Sequence, residues 1–314
     1  MKEYKDVSPY FHLLEIKDGI YVTIAKKGKG ALGNAGFIDL GDATIIFDTF
    51  LTPQAALDLR KVAEFYTDRK VTYAVNSHYH FDHVLGNQIF NDVPIISTGE
   101  TRRLMQKEMD FSDIEQIRTE MKQSLEELQS EIDKQNNPLM RESLSNQMAE
   151  VQMLYNTIAD IHPTLPTLTF EKRLEIFGSK RHIELLSYGE GHTNNDLFLY
   201  LPEEKIVFAG DLVFNNSHPW IGHGHLKHWK SVLEQIGNLE TDIIIPGHGM
   251  PGTKQNIASM QRYLTDIESA VNDALTANQT GEELKQLQIP DLYKEWAGSH
   301  TFYNNVITLL SSIK

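Results

Sequence analysis

Residues 77–83 read Ser77-His78-Tyr79-His80-Phe81-Asp82-His83, three imidazoles and one carboxylate in a single short stretch. Imidazole nitrogen and carboxylate oxygen are donors that hold zinc and neighbouring transition metals. The whole chain has thirteen histidines, and a solvated polar turn gives no reason for three of them to gather around an aspartate. No cysteine is present. Thiolate ligation and thiolate nucleophiles are therefore excluded, and any metal is held by nitrogen and oxygen, a set that suits zinc and also iron or manganese.

Four further residues of the same chemical types stand at the ends of apolar runs. Asp48 follows 43–47, His192 lies in the loop 189–196, Asp211 follows 206–209, and His248 follows 242–245. A single His or Asp after a strand is ordinarily a cap or turn residue. Together with the histidine loop they make five junctions with one chemistry, and strand tips at one sheet edge face a common crevice. Glycines beside His192, Asp211 and His248 allow close backbone approach there.

The elements that must position these residues are legible from periodicity. Residues 12–25 read as two short strands joined at Asp18-Gly19, and 35–40 with 43–47 as a second pair around Gly41-Asp42. Between the pairs, 26–33 is basic and glycine-rich, most simply a mobile loop. Residues 53–67 carry an amphipathic helical pattern opened by Pro53. Strands follow at 71–75, which delivers the histidine loop, and at 93–96. The alternation predicts a layered α/β core.

From 99 to 162 glycine disappears and helix formers dominate. Ile114, Ile117, Met121, Leu125, Leu128 and Ile132 make a coiled-coil-like seam, repeated by Met140, Leu144, Met148, Val151, Leu154 and Ile158 after Asn136-Asn137-Pro138. This predicts an inserted αα-hairpin, with residues 1–314 forming one domain around it. The plainer role for the hairpin is packing on the core or pairing between subunits of a homo-oligomer. The sharper one is a lid whose methionine-rich face helps form a substrate entrance. Strands resume at 171–177, 182–187, 197–201, 206–209 and 242–245, with helical stretches at 226–239, 253–276 and 291–313.

Composition narrows the partners. A chain of 314 residues with 40% apolar and 23% charged residues can bury a sizeable core. A net charge of −14 argues against a nucleic-acid partner. The N-terminal residues carry no apolar segment of the secretory kind, and no apolar run approaches a membrane span. A cytoplasmic protein acting on a small molecule, with no membrane partner, is the expectation.

His78-x-His80-x-Asp82-His83, Gly191-His192-Thr193, Gly210-Asp211 and Gly247-His248-Gly249, preceded by Asp48, resemble in order the five motifs of the metallo-β-lactamase-fold hydrolases. The resemblance covers roughly 12–250 and implies an αββα sandwich with a binuclear metal site at one sheet edge. It implies that His78, His80 and His192 hold a first divalent ion, that Asp82, His83 and His248 hold a second, and that Asp211 bridges them. Zinc is the expected metal. Asp48 matches the motif-one aspartate that orients ligands. A hydroxide shared by the two ions would be the nucleophile, with Asp82 orienting it and passing its proton to the leaving group.

Departures within the family are informative. Cysteine-ligated β-lactamase subclasses are excluded, and flavodiiron oxygen reductases carry Glu where His80 stands. The bridging Asp211 is typical of glyoxalase II-like and lactonase-like members. The expected activity is hydrolysis of an ester, thioester, lactone or amide. The alternatives are a mononuclear iron oxygenase similar to the persulfide dioxygenases, and a catalytically silent, metal-stabilised binding protein. Residues 215–225 follow the bridging Asp and contain His218, Trp220 and His223, the candidates for lining the substrate pocket. His12, His162, His182, His228 and His300 read as surface or satisfied core histidines.

Overall fold

The computed structural model describes residues 1–279, 283–284 and 287–313. Two sheets account for its strands. The first runs β1 (Lys2–Tyr4), β2 (Phe11–Lys17), β3 (Ile20–Ala25), β4 (Ala35–Asp39), β5 (Thr44–Phe47), β6 (Tyr73–Val75), β7 (Ile95–Thr98), β8 (Leu168–Phe170), in spatial as in chain order. Tight connections make β1 to β5 antiparallel. From β5 onward the pairs are parallel, which requires crossovers. Helix α1 (Pro53–Thr67) makes the first of them, and the short α2 (Phe81–Val84) follows β6. Its start is fixed by Thr52, whose side chain accepts from the Ala55 amide, and by Pro53 in the first turn.

The second sheet is ordered β13 (Ile243–His248), β12 (Ile206–Phe214), β11 (Asp196–Leu201), β10 (His182–Gly189), β9 (Arg173–Phe177). It is antiparallel except for β12–β13, where α6 (Leu226–Gly237) makes the crossover. Strand alternation places the layers. Ile45 and Phe47 face Leu197, Leu199 and Phe208 across the gap between the sheets, whereas Ile46 points outward onto Ala55, Leu59 and Ala63 of α1. Outside the second sheet, Trp229 and Leu233 of α6 pack with Met260 and Tyr263 of α7 (Lys254–Thr276) and Phe302 of α8 (Ser299–Ile313). The order helix, sheet, sheet, helix is an αββα sandwich. No helix among the described residues is long and apolar enough to cross a membrane.

Four sequence expectations differ from the structure. Strand β12 does not stop at Ala209 but continues through Asp211 to Phe214. Gly210 at φ 52° and two register shifts against β13 let the strand kink and run on. Strand β13 likewise includes Pro246 and His248, and as an edge strand it tolerates the missing proline N–H. The segment 99–162 holds three helices where two were expected: α3 (Gly99–Glu108), α4 (Ile114–Lys134) and α5 (Pro138–Thr157). The break before α4 is set by Asp113, whose side chain accepts from the Gln116 amide. Leu128 and Ile132 of α4 pack on Leu144, Met140, Met148 and Val151 of α5. The other end of the seam, Ile114, Ile117, Met121 and Leu154, packs instead on Leu104, Met105 and Leu51. The last helix starts at Ser299, later than the 291 read from sequence.

Candidate metal centre

Four ligand atoms of His78, His80, His192 and Asp211 lie within 4.8 Å of one another, and three of Asp82, His83 and His248 do the same. The clusters meet at Asp211. Its Oδ2 is 3.3 Å from His192 Nε2 and 3.8 Å from His78 Nε2. Its Oδ1 is 3.2 Å from His83 Nε2 and 3.4 Å from His248 Nε2. Asp82 Oδ2 closes the second group at 3.3 Å from His83 Nε2 and 3.2 Å from His248 Nε2. In the first, His192 Nε2 stands 2.9 Å from His80 Nδ1.

This donor set fits cations. His78 Nε2, His83 Nε2 and Asp211 Oδ1 are buried without a well-aligned hydrogen bond, a state that costs roughly 1–3 kcal/mol per group unless something relieves it. Burial first, then the neighbouring imidazoles, hold His78 and His80 well below the ordinary histidine range, and burial brings His192 down to about 4. These rings are neutral at pH 7, as metal ligands must be. Burial opposes charge on Asp82 and Asp211, yet His83 and His248 outweigh it and hold both carboxylates well below their usual range. Conversely, the carboxylates overcome burial to raise His83 well above its ordinary value and His248 to about 9. Those two rings hold protons that a metal ion would displace.

The surroundings decide which nitrogen each ring presents. Asp48, buried and at φ 61°, accepts from the Ser77 amide and the Ser77 hydroxyl at 2.8 Å each. Its Oδ2 is also 2.9 Å from His83 Nδ1. Since Ser77 Oγ gives its proton to Asp48, its contact with His78 Nδ1 at 2.9 Å makes that nitrogen the donor. Both rings then turn Nε2 toward the cluster, the orienting device typical of metal-bound histidine. Phe214 stacks flat on His248 at 4.9 Å, and Trp229 packs edge-on to His192 at 5.1 Å. The Thr193 amide and hydroxyl, held by Asp196, fix the turn that carries His192. A Cβ on Gly247 would fall 1.9 Å from Asp211 Oδ1, and one on Gly33 would fall 2.8 Å from His83 Cε1.

A cavity of about 720 Å³ opens over this centre. Its floor includes His80, Asp82, Asp211 and His248, and its walls come from 24–34, α5, 214–220 and 297–301. Of the residues expected in a pocket, His218 and Trp220 are in the wall. His223 is not. It sits behind His80, with Nδ1 2.9 Å from His80 Nε2. His218 is bonded to the Tyr263 hydroxyl at 3.0 Å and His300 to Ser143 Oγ at 2.6 Å, and burial brings both imidazoles to about 4. The α5 residues that reach the cavity are Ser143, Asn146, Gln147, Glu150, Val151 and Leu154. The helix faces the cavity through these, while Met140 and Met148 pack against α4.

Two residues that sequence reasoning passed over matter here. Asn34 donates through its amide side chain to the Pro246 and Gly249 carbonyls, and its main-chain N–H donates to Gly247, so it clamps the His248 turn. Glu150 is buried on α5 and accepts from the Gly30 amide at 3.0 Å. With Thr52 donating to the Gly30 carbonyl, it ties down the 26–33 segment that the sequence suggested was mobile. Neither side chain carries a local signal: Glu150 sits among many helical glutamates, and Asn34 between small residues.

The sequence model of the metallo-beta-lactamase superfamily matches residues 28–248. Among curated proteins, the metallo-beta-lactamase type 2 of Bacillus cereus is 29% identical over 85 residues, 25% of this chain and 32% of the relative. The matched region thus spans about a third of that relative's length. Among solved structures, the DIM-1 metallo-beta-lactamase superposes with a TM-score of 0.57 at 17% identity, covering 82% of this chain and 98% of that one. TMB-1 gives 0.59 at 14%, covering 83% and 100%, and a metallo-beta-lactamase from Pontibacter korlensis gives 0.54 at 16%, covering 84% and 98%. These likenesses are likenesses of fold. Both His/Asp clusters lie within the matched region. On the match across 28–248 and on the αββα architecture, the chain belongs to the metallo-β-lactamase superfamily.

Proposed function

We propose that the protein is a binuclear metallo-hydrolase, with zinc as the expected ion, that cleaves an ester, thioester, lactone or amide of a small molecule. The observation that carries this reading is the pair of ligand clusters sharing Asp211, whose two oxygens face different histidines. The second cluster, Asp82, His83 and His248, is what favours two ions over the single iron of an oxygenase. Two divalent ions held by these residues would supply a hydroxide nucleophile at neutral pH and polarise the scissile carbonyl.

The residues of this chain do the rest. His78, His80 and His192 present neutral imidazoles to the first position, and Asp82, His83 and His248 surround the second. Asp82 is the more open of the two carboxylates, 14% exposed against 5% for Asp211. In this reading it takes the nucleophile's proton and returns it to the leaving atom. The Asp48–Ser77 pair keeps the rings aimed. Burial of His78, His83, His192 and Asp211 strengthens every charge interaction there.

Elemental analysis and activity test this together. The wild type is expected to hold two zinc ions per chain, and Asp211→Ala is expected to lose at least one ion with a rate loss on the order of 10³-fold. His78→Ala is expected to behave similarly. Two retained ions and full ester hydrolysis in both variants would remove the proposal. One iron per chain with oxygen uptake would replace it with the oxygenase reading.

A further inference from the structure

We propose that the substrate is uncharged and carries an apolar chain or ring, with its scissile carbonyl over the metal ligands and its apolar part lying against α5. This rests on the hydrolase reading and adds a substrate class to it.

The cavity walls carry the argument. Above the ligands, Ile24, Leu32, Val151, Leu154, Phe214 and Trp220 line the space. Ser143, Asn146 and Gln147 give α5 neutral polar wall groups beside Glu150, and suit hydroxyl, amide or ring-oxygen recognition by hydrogen bond. Among the described residues, no cationic side chain of the walls is left without a hydrogen-bond or ion-pair partner of its own. The only lysines there are Lys26 and Lys27, and no arginine lines the space. Lys26 donates to the Ser8 carbonyl at 2.6 Å. Lys27 is 59% exposed and paired with Glu142 at 2.9 Å. His218 and His300 are neutral, as their partners and burial dictate. Glu108 and Glu150 also lie in the wall. A substrate with a carboxylate or phosphate remote from its scissile bond would bury that charge without a partner, which is heavily unfavourable. A neutral one loses nothing and gains apolar burial.

The balance of the reaction fits this environment. Water oxygen bonds to the acyl carbon, the acyl–oxygen bond breaks, and the proton goes to the departing alkoxide. A neutral ester becomes a carboxylic acid, ionised at neutral pH, and an alcohol; a lactone becomes one hydroxy-carboxylate. The new carboxylate forms on the floor at the metal ligands, and the walls keep contact with the same uncharged apolar part as before.

The test uses the zinc-loaded full chain. A series of p-nitrophenyl esters from acetyl to decanoyl is expected to show kcat/KM rising roughly fourfold per methylene until the cavity is filled. The matching ω-carboxylated esters are expected to fall by about a hundredfold or more at equal length. Gln147→Lys is expected to recover part of that loss for the carboxylated series only. In parallel, calorimetric titration measures binding of 2-decanone and of 9-oxodecanoate, which have no hydrolysable bond. Hydrolysis with a flat chain-length profile, or with preference for the carboxylated esters, would overturn the substrate class and leave the hydrolase. Binding of 2-decanone but not 9-oxodecanoate, with no turnover of any ester, would overturn the hydrolase and leave the ligand class. Neither binding nor turnover would overturn both.

Discussion

At His83, the nitrogen that faces Asp48 decides what the other nitrogen can do. Asp48 Oδ2 accepts a hydrogen bond from His83 Nδ1–H at 2.9 Å, and Nε2 is left aimed between Asp82 and Asp211. An amide at position 48 would turn its NH₂ toward either the Ser77 amide or His83 Nδ1, both donors, so one contact becomes repulsive. Asp48→Asn is therefore expected to weaken zinc binding by about 10- to 100-fold, read by competition with a chelating dye, with the far-ultraviolet spectrum unchanged. A change below about threefold would mean Asp48 does not orient the ligands. The sequence made the histidine loop visible because its donors are contiguous and no cysteine competes for the role. It gave no view of Asn34, whose bonded partner Gly249 lies 215 positions away, because no local pattern encodes such a contact. His223 was visible as a histidine near the site, but whether a loop aims a side chain into a cavity or behind a ligand depends on packing that composition does not carry.

Among the elements, α5 is the one whose charge chemistry stands out. Burial pushes the Glu150 carboxyl up to about 7, although the Gly30, Gly28 and Lys29 amides pull the other way. A carboxyl whose folded pKa lies above its unfolded value binds more protons when folded, so stability falls as pH rises through the window from about 4.5 to about 7. Glu150→Gln keeps an acceptor for the Gly30 amide and removes the charge. Its melting temperature should exceed that of the wild type at pH 8 and match it at pH 4.5 in calorimetry; an equal difference at both pH values would contradict the assignment. Regular elements were the most legible part of the chain. The β5 run Thr44–Phe47 and the helix Pro53–Thr67 follow from alternation and capping. The split at 109–113 is marked in sequence only by Asp113 ahead of the Ile114 and Ile117 seam, and one aspartate does not by itself distinguish an N-cap from a residue within a helix. The extension of β12 past Gly210 was missed because a glycine at positive φ normally ends a strand rather than bending it.

On the scale of the molecule, the two sheets contribute separately to the metal centre. His78, His80, Asp82 and His83 follow β6 of the first sheet, whereas His192, Asp211 and His248 belong to the second. Bound ions would join the two sheets and stabilise the folded state by mass action, about 4 kcal/mol when free zinc is a thousandfold above Kd. Chelation is expected to lower Tm on the order of 10 °C, with unfolding still cooperative, and an unchanged Tm would mean that no structural metal is held. The net charge of −14 adds to this, since two divalent cations relieve part of the self-repulsion. The segment running from Gly28 to Asn34 has its own consequence. One end is gripped by Glu150 of α5, and the other lies against His83 and clamps the His248 turn. Anyone who reshapes that helix to admit bulkier compounds will also be loosening the grip on any bound metal, so broadened selectivity and metal retention should trade against each other in this scaffold.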